Sequence, residues 1–120
     1  MQGHVCFYCE QSKAPDSLDV DHVIPWCYLL EDRVWNLTLA CRHCNSVKSS
    51  QTPGDRFLIK LIDRNRKLLA EITKVQASAR IAFVARDLRE FVTKDIEEHI
   101  RTLTTNCRGD GFGTWMPIGF

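Results

Sequence analysis

The chain lacks any hydrophobic run long enough to span a membrane, and residues 1–10 hold no apolar signal segment. Membrane insertion and a secreted disulfide scaffold are both set aside on that ground. Net charge is also nearly absent: 16 Lys and Arg against 15 Asp and Glu leave +1. Any affinity for nucleic acid must therefore come from a local basic patch rather than from the total. No internal repeat is visible. The glycines of residues 109–113, GDGFG, lack the strand-then-helix context of a phosphate-binding loop.

What the chain does have is cysteine in a pattern. With 120 residues and 44% hydrophobic content it suits one domain with a modest core. A core that small gains stability from a structural metal. Four of the six cysteines form two Cys-x2-Cys pairs, Cys6/Cys9 and Cys41/Cys44, separated by residues 10–40. Each pair lets two thiolates from one tight turn reach the same ion. Two pairs complete a tetrahedral zinc site with no open position. Such pairs in a non-secreted chain point to a reducing compartment, the cytoplasm. The competing reading, a redox motif, needs a strand-then-helix setting that neither pair has. His4 and His43 are substitute ligands that four cysteines in register leave unneeded. Cys27 and Cys107 read as ordinary thiols.

Three textures follow along the chain. Residues 18–20 and 37–40 are the strand candidates, and 42–49 should form a short helix after the second strand. Residues 50–54 form a linker by composition. From Asp55, a candidate N-cap, the positions Phe57, Leu58, Leu61, Ile62, Asn65, Leu68, Leu69, Ile72 and Val75 fall near one helix face. A second stripe runs from Ile81 through Leu88 and Phe91 to Leu103. Two helices over 55–75 and 80–103, joined near 76–79, are expected to pack antiparallel and to bury Leu61, Leu68, Ile72, Leu88 and Phe91. The tail beyond residue 106 alternates glycine with Phe112, Trp115, Met116 and Phe120, large groups that should dock on the rest. Trp26 and Trp35 are expected in the core. Among local basic sets, Arg42, His43 and Lys48 adjoin the second Cys pair, and Arg64, Arg66 and Lys67 lie on the first long helix. The latter set reads equally as a solvated face or as a nucleic-acid contact.

The insert between the Cys pairs carries Asp21-His22, Pro25 and Asn36-Leu37, and the second pair runs into Asn45 and Lys48. Imidazole is the side chain whose ordinary pKa lies nearest neutrality, so His22 suits a general base. Asp21 and Asn45 offer hard oxygens, which suit Mg²⁺ or Mn²⁺ rather than a thiolate-bound ion. A cation with two protein ligands keeps positions open for water and substrate oxygens. Neighbouring residues of a regular strand face opposite ways, so Asp21 and His22 can share a site only if the strand breaks there, which Pro25 favours. As bland alternatives, Asn45 could cap the helix after Cys44, and Lys48 could be an exposed helix charge.

Cys-x2-Cys, Asp-His-x-x-Pro, Asn-Leu and Cys-x2-Cys-Asn-x-x-Lys, in that order, resemble the signature of the HNH endonuclease family from Cys6 to Lys48. The resemblance implies an α+β fold: a zinc-stabilised ββα-metal core over 1–52. A C-terminal antiparallel helical pair and tail over 53–120 would pack on that core as one compact domain. It implies that His22 is the general base, that Asp21 and Asn45 bind the catalytic Mg²⁺ or Mn²⁺, and that Asn36 braces the base-bearing loop. It further implies that Lys48 lies near the phosphate. Where the family name records a final His, this chain has Asn45, whose amide oxygen can still ligate a hard cation.

The activity that the resemblance implies is hydrolysis of DNA, double-stranded by preference, leaving 5′-phosphate and 3′-hydroxyl ends as the family does. One site per chain would need a homodimer or two events to break both strands. Two alternatives stand beside it. One is a non-catalytic zinc module that binds nucleic acid or a protein, which would have no need for Asp21, His22 and Asn45 together. The other is the nuclease domain of a larger defence or mobile-element protein, given how close Cys6 stands to the start. Removing Asp21 or His22 is expected to leave both the zinc and the stability in place.

Overall fold

The structure, a computed structural model, describes residues 4–74 and 95–116. Strand β1 (Leu18–His22) and strand β2 (Leu37–Cys41) pair antiparallel, with Asp21 opposite Thr38 and His22 opposite Leu37. Between them lie a short helix α1 (Trp26–Leu29) and a 3-10 turn (Val34–Asn36). Helix α2 (Arg42–Lys48) follows β2 without a loop. The mixed α+β architecture expected from the sequence is therefore the one observed, and each of its first three main elements lies within a few residues of its expected place.

Helix α3 (Asp55–Lys74) buries Phe57, Leu58, Leu61, Ile62 and Asn65, the three- and four-residue spacing of one helical face. Helix α4 (Ile96–Gly109) buries Ile96, Ile100, Thr104 and Cys107 on the same principle. Ion pairs join Asp55 to Arg108 at 3.0 Å and Arg66 to Glu97 at 3.6 Å. The start of each helix thus meets the end half of the other, and the pair is antiparallel. One boundary is corrected. Asp95 is in an extended conformation and caps α4 by accepting from the Glu98 N–H at 3.0 Å. A helix therefore begins at Ile96 and outlasts Leu103 to end at Gly109, instead of running unbroken over 80–103. The expected junction near 76–79, and the burial of Ile72, Leu88 and Phe91, lie outside the described side chains. Leu68 is only half-buried.

The linker reading of residues 50–54 is also corrected. Strand β3 (Thr52–Pro53) pairs in parallel with strand β4 (Thr114–Trp115), and the Gly54 N–H donates to the Trp115 carbonyl at 2.9 Å. This pairing docks the tail through Trp115, while Met116 stays half-exposed and Phe120 lies outside the described residues. Trp115 then closes an aromatic cluster with Tyr8 and Phe57, at ring distances of 5.1 and 6.1 Å. Tyr8 meets Phe57 edge-on at 5.2 Å. Such pairs add to ordinary area burial, and here they tie the first Cys turn to α3 and the tail. Trp35 is buried as expected, but Trp26 is half-exposed and not in the core. Of the second basic set, Arg64 is largely buried while Arg66 and Lys67 are exposed. No helix among the described residues is long and apolar enough to cross a membrane.

Candidate metal centre and hydrolytic site

The four thiols of Cys6, Cys9, Cys41 and Cys44 converge, with all sulfurs within 4.8 Å of one another. Two matching turns bring them together. In each, the N–H of the second cysteine points at the sulfur of the first, Cys9 to Cys6 and Cys44 to Cys41, at 3.5 Å. The first turn closes with the Glu10 N–H on the Cys6 carbonyl and requires a left-handed Glu10 at φ 62°. The Phe7 N–H anchors that turn to β2 through the Leu39 carbonyl at 2.8 Å. The second turn is the N-terminus of α2, capped by the Cys41 sulfur itself.

Zinc–sulfur bonds of about 2.3 Å in a tetrahedron separate the sulfurs by roughly 3.8 Å. The Cys9 and Cys41 sulfurs lie 4.0 Å apart, so the donor set fits such an ion. Electrostatics agree. Burial raises the Cys6 thiol, but the N–H groups of Cys41, Cys9 and Tyr8 outweigh it and bring it down to about 7. Cys44 is pushed up by burial and by the crowding of the other three sulfurs. All four could ionise together only with a cation between them. His4 and His43 are exposed and outside the cluster.

Asp21, His22 and Asn45 line one open cavity of about 250 Å³, together with Pro25, Trp26 and Ser49. The strand does not break between Asp21 and His22, contrary to the expectation that only a break lets them share a site. It runs regularly through both and ends immediately after His22. Alternation therefore sends Asp21 inward, almost wholly buried, while His22 stays a quarter exposed at the cavity wall. The chain turns at residues 23–25, where Asn36 clasps the Ile24 backbone. Its Oδ1 accepts from the Ile24 N–H and its Nδ2 donates to the Ile24 carbonyl, both at 2.8 Å.

Asn45 lies inside α2, whose cap is Cys41, so the capping alternative is excluded. Its amide nitrogen donates to Asp19 Oδ2 at 3.5 Å, which leaves the amide oxygen as the end that could meet a cation. Lys48 is not an exposed charge. It is fully buried beneath the cavity, with Nζ 3.4 Å from the Asp21 carboxylate and 3.0 Å from the His22 carbonyl. Burial pulls the Lys48 ammonium down and pushes the Asp21 carboxyl up, each opposed by the charge of the other. The Tyr8 hydroxyl, itself raised by burial and by Asp21, donates to Asp21 Oδ2 at 2.5 Å.

Lys48→Met is expected to destabilise the fold by about 3–5 kcal/mol, because it strands a buried carboxylate. Denaturant unfolding of the variant measures this directly. A change near zero would mean that water reaches Asp21.

Three partners were not legible in the sequence. Tyr8 sits between two cysteines and carries no motif of its own. Asp32, whose Oδ1 lies 2.6 Å from His22 Nε2, belongs to an acidic loop that resembles any solvated loop. Asp19 precedes Asp21 on the same face of β1, and alternation is the one signal that could have found it.

The model of the HNH endonuclease family matches residues 6–54, the span from the first zinc-type turn through β3. Residues 6–54 are thus similar to the HNH endonuclease family. No curated protein and no solved structure gives a match. The HNH segment thus contains the four-thiol cluster, the Asp21–His22–Asn45 cavity and buried Lys48, and it ends one residue before α3. The match to this family suggests nuclease-type chemistry on nucleic acid.

Proposed function

We propose that the chain is a metal-dependent endonuclease that hydrolyses DNA phosphodiester bonds. The observation that carries the reading is the cavity shared by Asp21, His22 and Asn45 inside the HNH segment. His22 is the proposed base. With Nε2 hydrogen-bonded to Asp32, the ring keeps its second nitrogen to accept a proton from the attacking water. Asp21 and Asn45 are the proposed ligands of Mg²⁺ or Mn²⁺, which when bound would stabilise the negative charge developing on the phosphate. Lys48 is assigned a supporting role. From beneath, it neutralises and orients Asp21 rather than touching phosphate. Cys6, Cys9, Cys41 and Cys44 hold a structural zinc and take no part in the chemistry.

Double-stranded DNA is the proposed substrate, and two copies or two events serve both strands. Residues 53–120 are proposed as an extension of the same compact domain. The reduced thiol cluster suits a cytoplasmic setting.

Supercoiled plasmid incubated with the zinc-loaded protein should be nicked with Mg²⁺ or Mn²⁺ and left intact with neither. Zinc content is checked after the metal-free incubation, so that loss of the structural ion is not read as loss of the catalytic one. Nicking that proceeds equally without added divalent cation would overturn the one-cation mechanism.

A further inference from the structure

The HNH segment ends at Gly54, yet its base-bearing turn is held by side chains from beyond it. Asn65 of α3 is fully buried and donates from Nδ2 to the Trp35 carbonyl at 2.8 Å. Its amide oxygen accepts from Arg64 Nε at 3.0 Å, which fixes the two side chains relative to each other. The Arg64 fork reaches the same Trp35 carbonyl at 3.2 Å and two more, Leu37 at 2.8 Å through Nη1 and Val34 at 3.4 Å through Nη2.

Those carbonyls belong to the 3-10 turn Val34–Asn36 and the first residue of β2. A turn this short has few hydrogen bonds of its own, and its end carbonyls need partners from elsewhere. A planar guanidinium with five donors suits that task better than a point charge.

The turn in turn governs the residues after His22. Asn36 clasps Ile24 through both amide atoms, and the Asn36 carbonyl accepts from the Val23 N–H at 2.9 Å. Two successive sets of hydrogen bonds therefore lead from α3 to the peptide that follows His22. Neither Arg64 nor Asn65 lines the cavity.

We propose that Arg64 and Asn65 are positioning residues for His22, so that the hydrolytic site is complete only with α3 docked on the Asn36 turn. The proposal rests on the nuclease reading above. It also makes the activity of this HNH segment depend on a helix that the family match does not include. Hydrogen bonds that merely stabilised the fold would not move kcat in protein assayed well below its melting temperature. A displaced base would lower it, since a shift of about 1 Å can cost 10²-fold.

The test is cleavage of a labelled duplex with Mn²⁺ by the full chain and by Asn65→Ala, Arg64→Met, Arg64→Lys and His22→Ala. Each protein is checked for zinc and for its melting curve, and the His22 ring is followed by NMR. Asn65→Ala and Arg64→Met should lose about tenfold to 10²-fold in kcat with little change in KM, and should shift the His22 ring resonances. Arg64→Lys, which keeps the charge but not the fork, should recover part of the rate.

Folded, zinc-loaded Asn65→Ala and Arg64→Met that cleave at the parent kcat with unshifted His22 resonances would overturn the proposal. Should either fail to fold, Arg64→Lys carries the same two readouts. If His22→Ala itself cleaves at the parent rate, the nuclease reading falls instead, and the ring resonances still report whether the brace exists.

Discussion

Cys41→Ser is expected to release the structural metal and to unfold the first half of the chain. Cys41 ends β2, caps α2 through its sulfur and lies 4.0 Å from the Cys9 sulfur. One substitution therefore loosens the strand, the helix and the first cysteine turn together. A serine hydroxyl is shorter than a thiol, and it does not ionise near neutral pH to become a zinc ligand. Binding free energy at a structural zinc site is folding free energy, about 10–16 kcal/mol in small zinc peptides. A domain of this size has roughly 5–15 kcal/mol of stability in all. Loss of a ligand should thus remove the cooperative melt, beyond merely lowering its midpoint. Elemental analysis beside a thermal melt is the measurement, with exposed Cys27→Ser as the variant that keeps its metal. Parent protein that is well folded and free of bound metal would end the structural-zinc reading.

His22→Ala is expected to cut the cleavage rate by about 10²–10⁴-fold, the usual range for removing a general base. Its side chain sits at the cavity wall, and its one polar side-chain partner among the described residues, Asp32, is exposed. Nothing buried is stranded when the imidazole goes, so zinc content, the melting curve and binding of Mn²⁺ and DNA should all persist. Single-turnover cleavage of a labelled duplex, with a Mn²⁺ titration alongside, separates the base from the cation. A folded His22→Ala that cleaves at the parent rate would turn the reading toward a non-catalytic zinc module.

Asp21 cannot serve as the matching variant for the cation, contrary to the expectation that its removal spares the fold. Its carboxylate is the counter-charge of a fully buried ammonium and the acceptor of a buried phenol. Deleting one partner of such a pair costs about 3–5 kcal/mol, so lost activity would be confounded with lost stability. Asn45, half-buried and bonded only weakly to Asp19, is the better position for testing metal ligation.

Much of this protein was legible in its residues because the relevant information is local. Cys-x2-Cys spacing brings two sulfurs into one turn whatever lies around it. The apolar spacing of residues 57–65 defines the buried face of α3 by helical geometry alone, and the short runs at residues 18–20 and 37–40, flanked by turn-formers, mark two strands. The sequence by itself therefore determined which four thiols cluster, the two strands, the helices α2 and α3, and the shortlist Asp21, His22, Asn36, Asn45 and Lys48.

Only the tertiary structure decided what those side chains face. It placed Lys48 under Asp21 and Tyr8 against the same carboxylate. It brought Asp32 to His22 and paired Thr52–Pro53 with Thr114–Trp115 across some sixty residues. It also set α3 against the Asn36 turn. No periodicity encodes such partners, because each contact depends on how separate elements pack and on where buried polar groups find their counterparts.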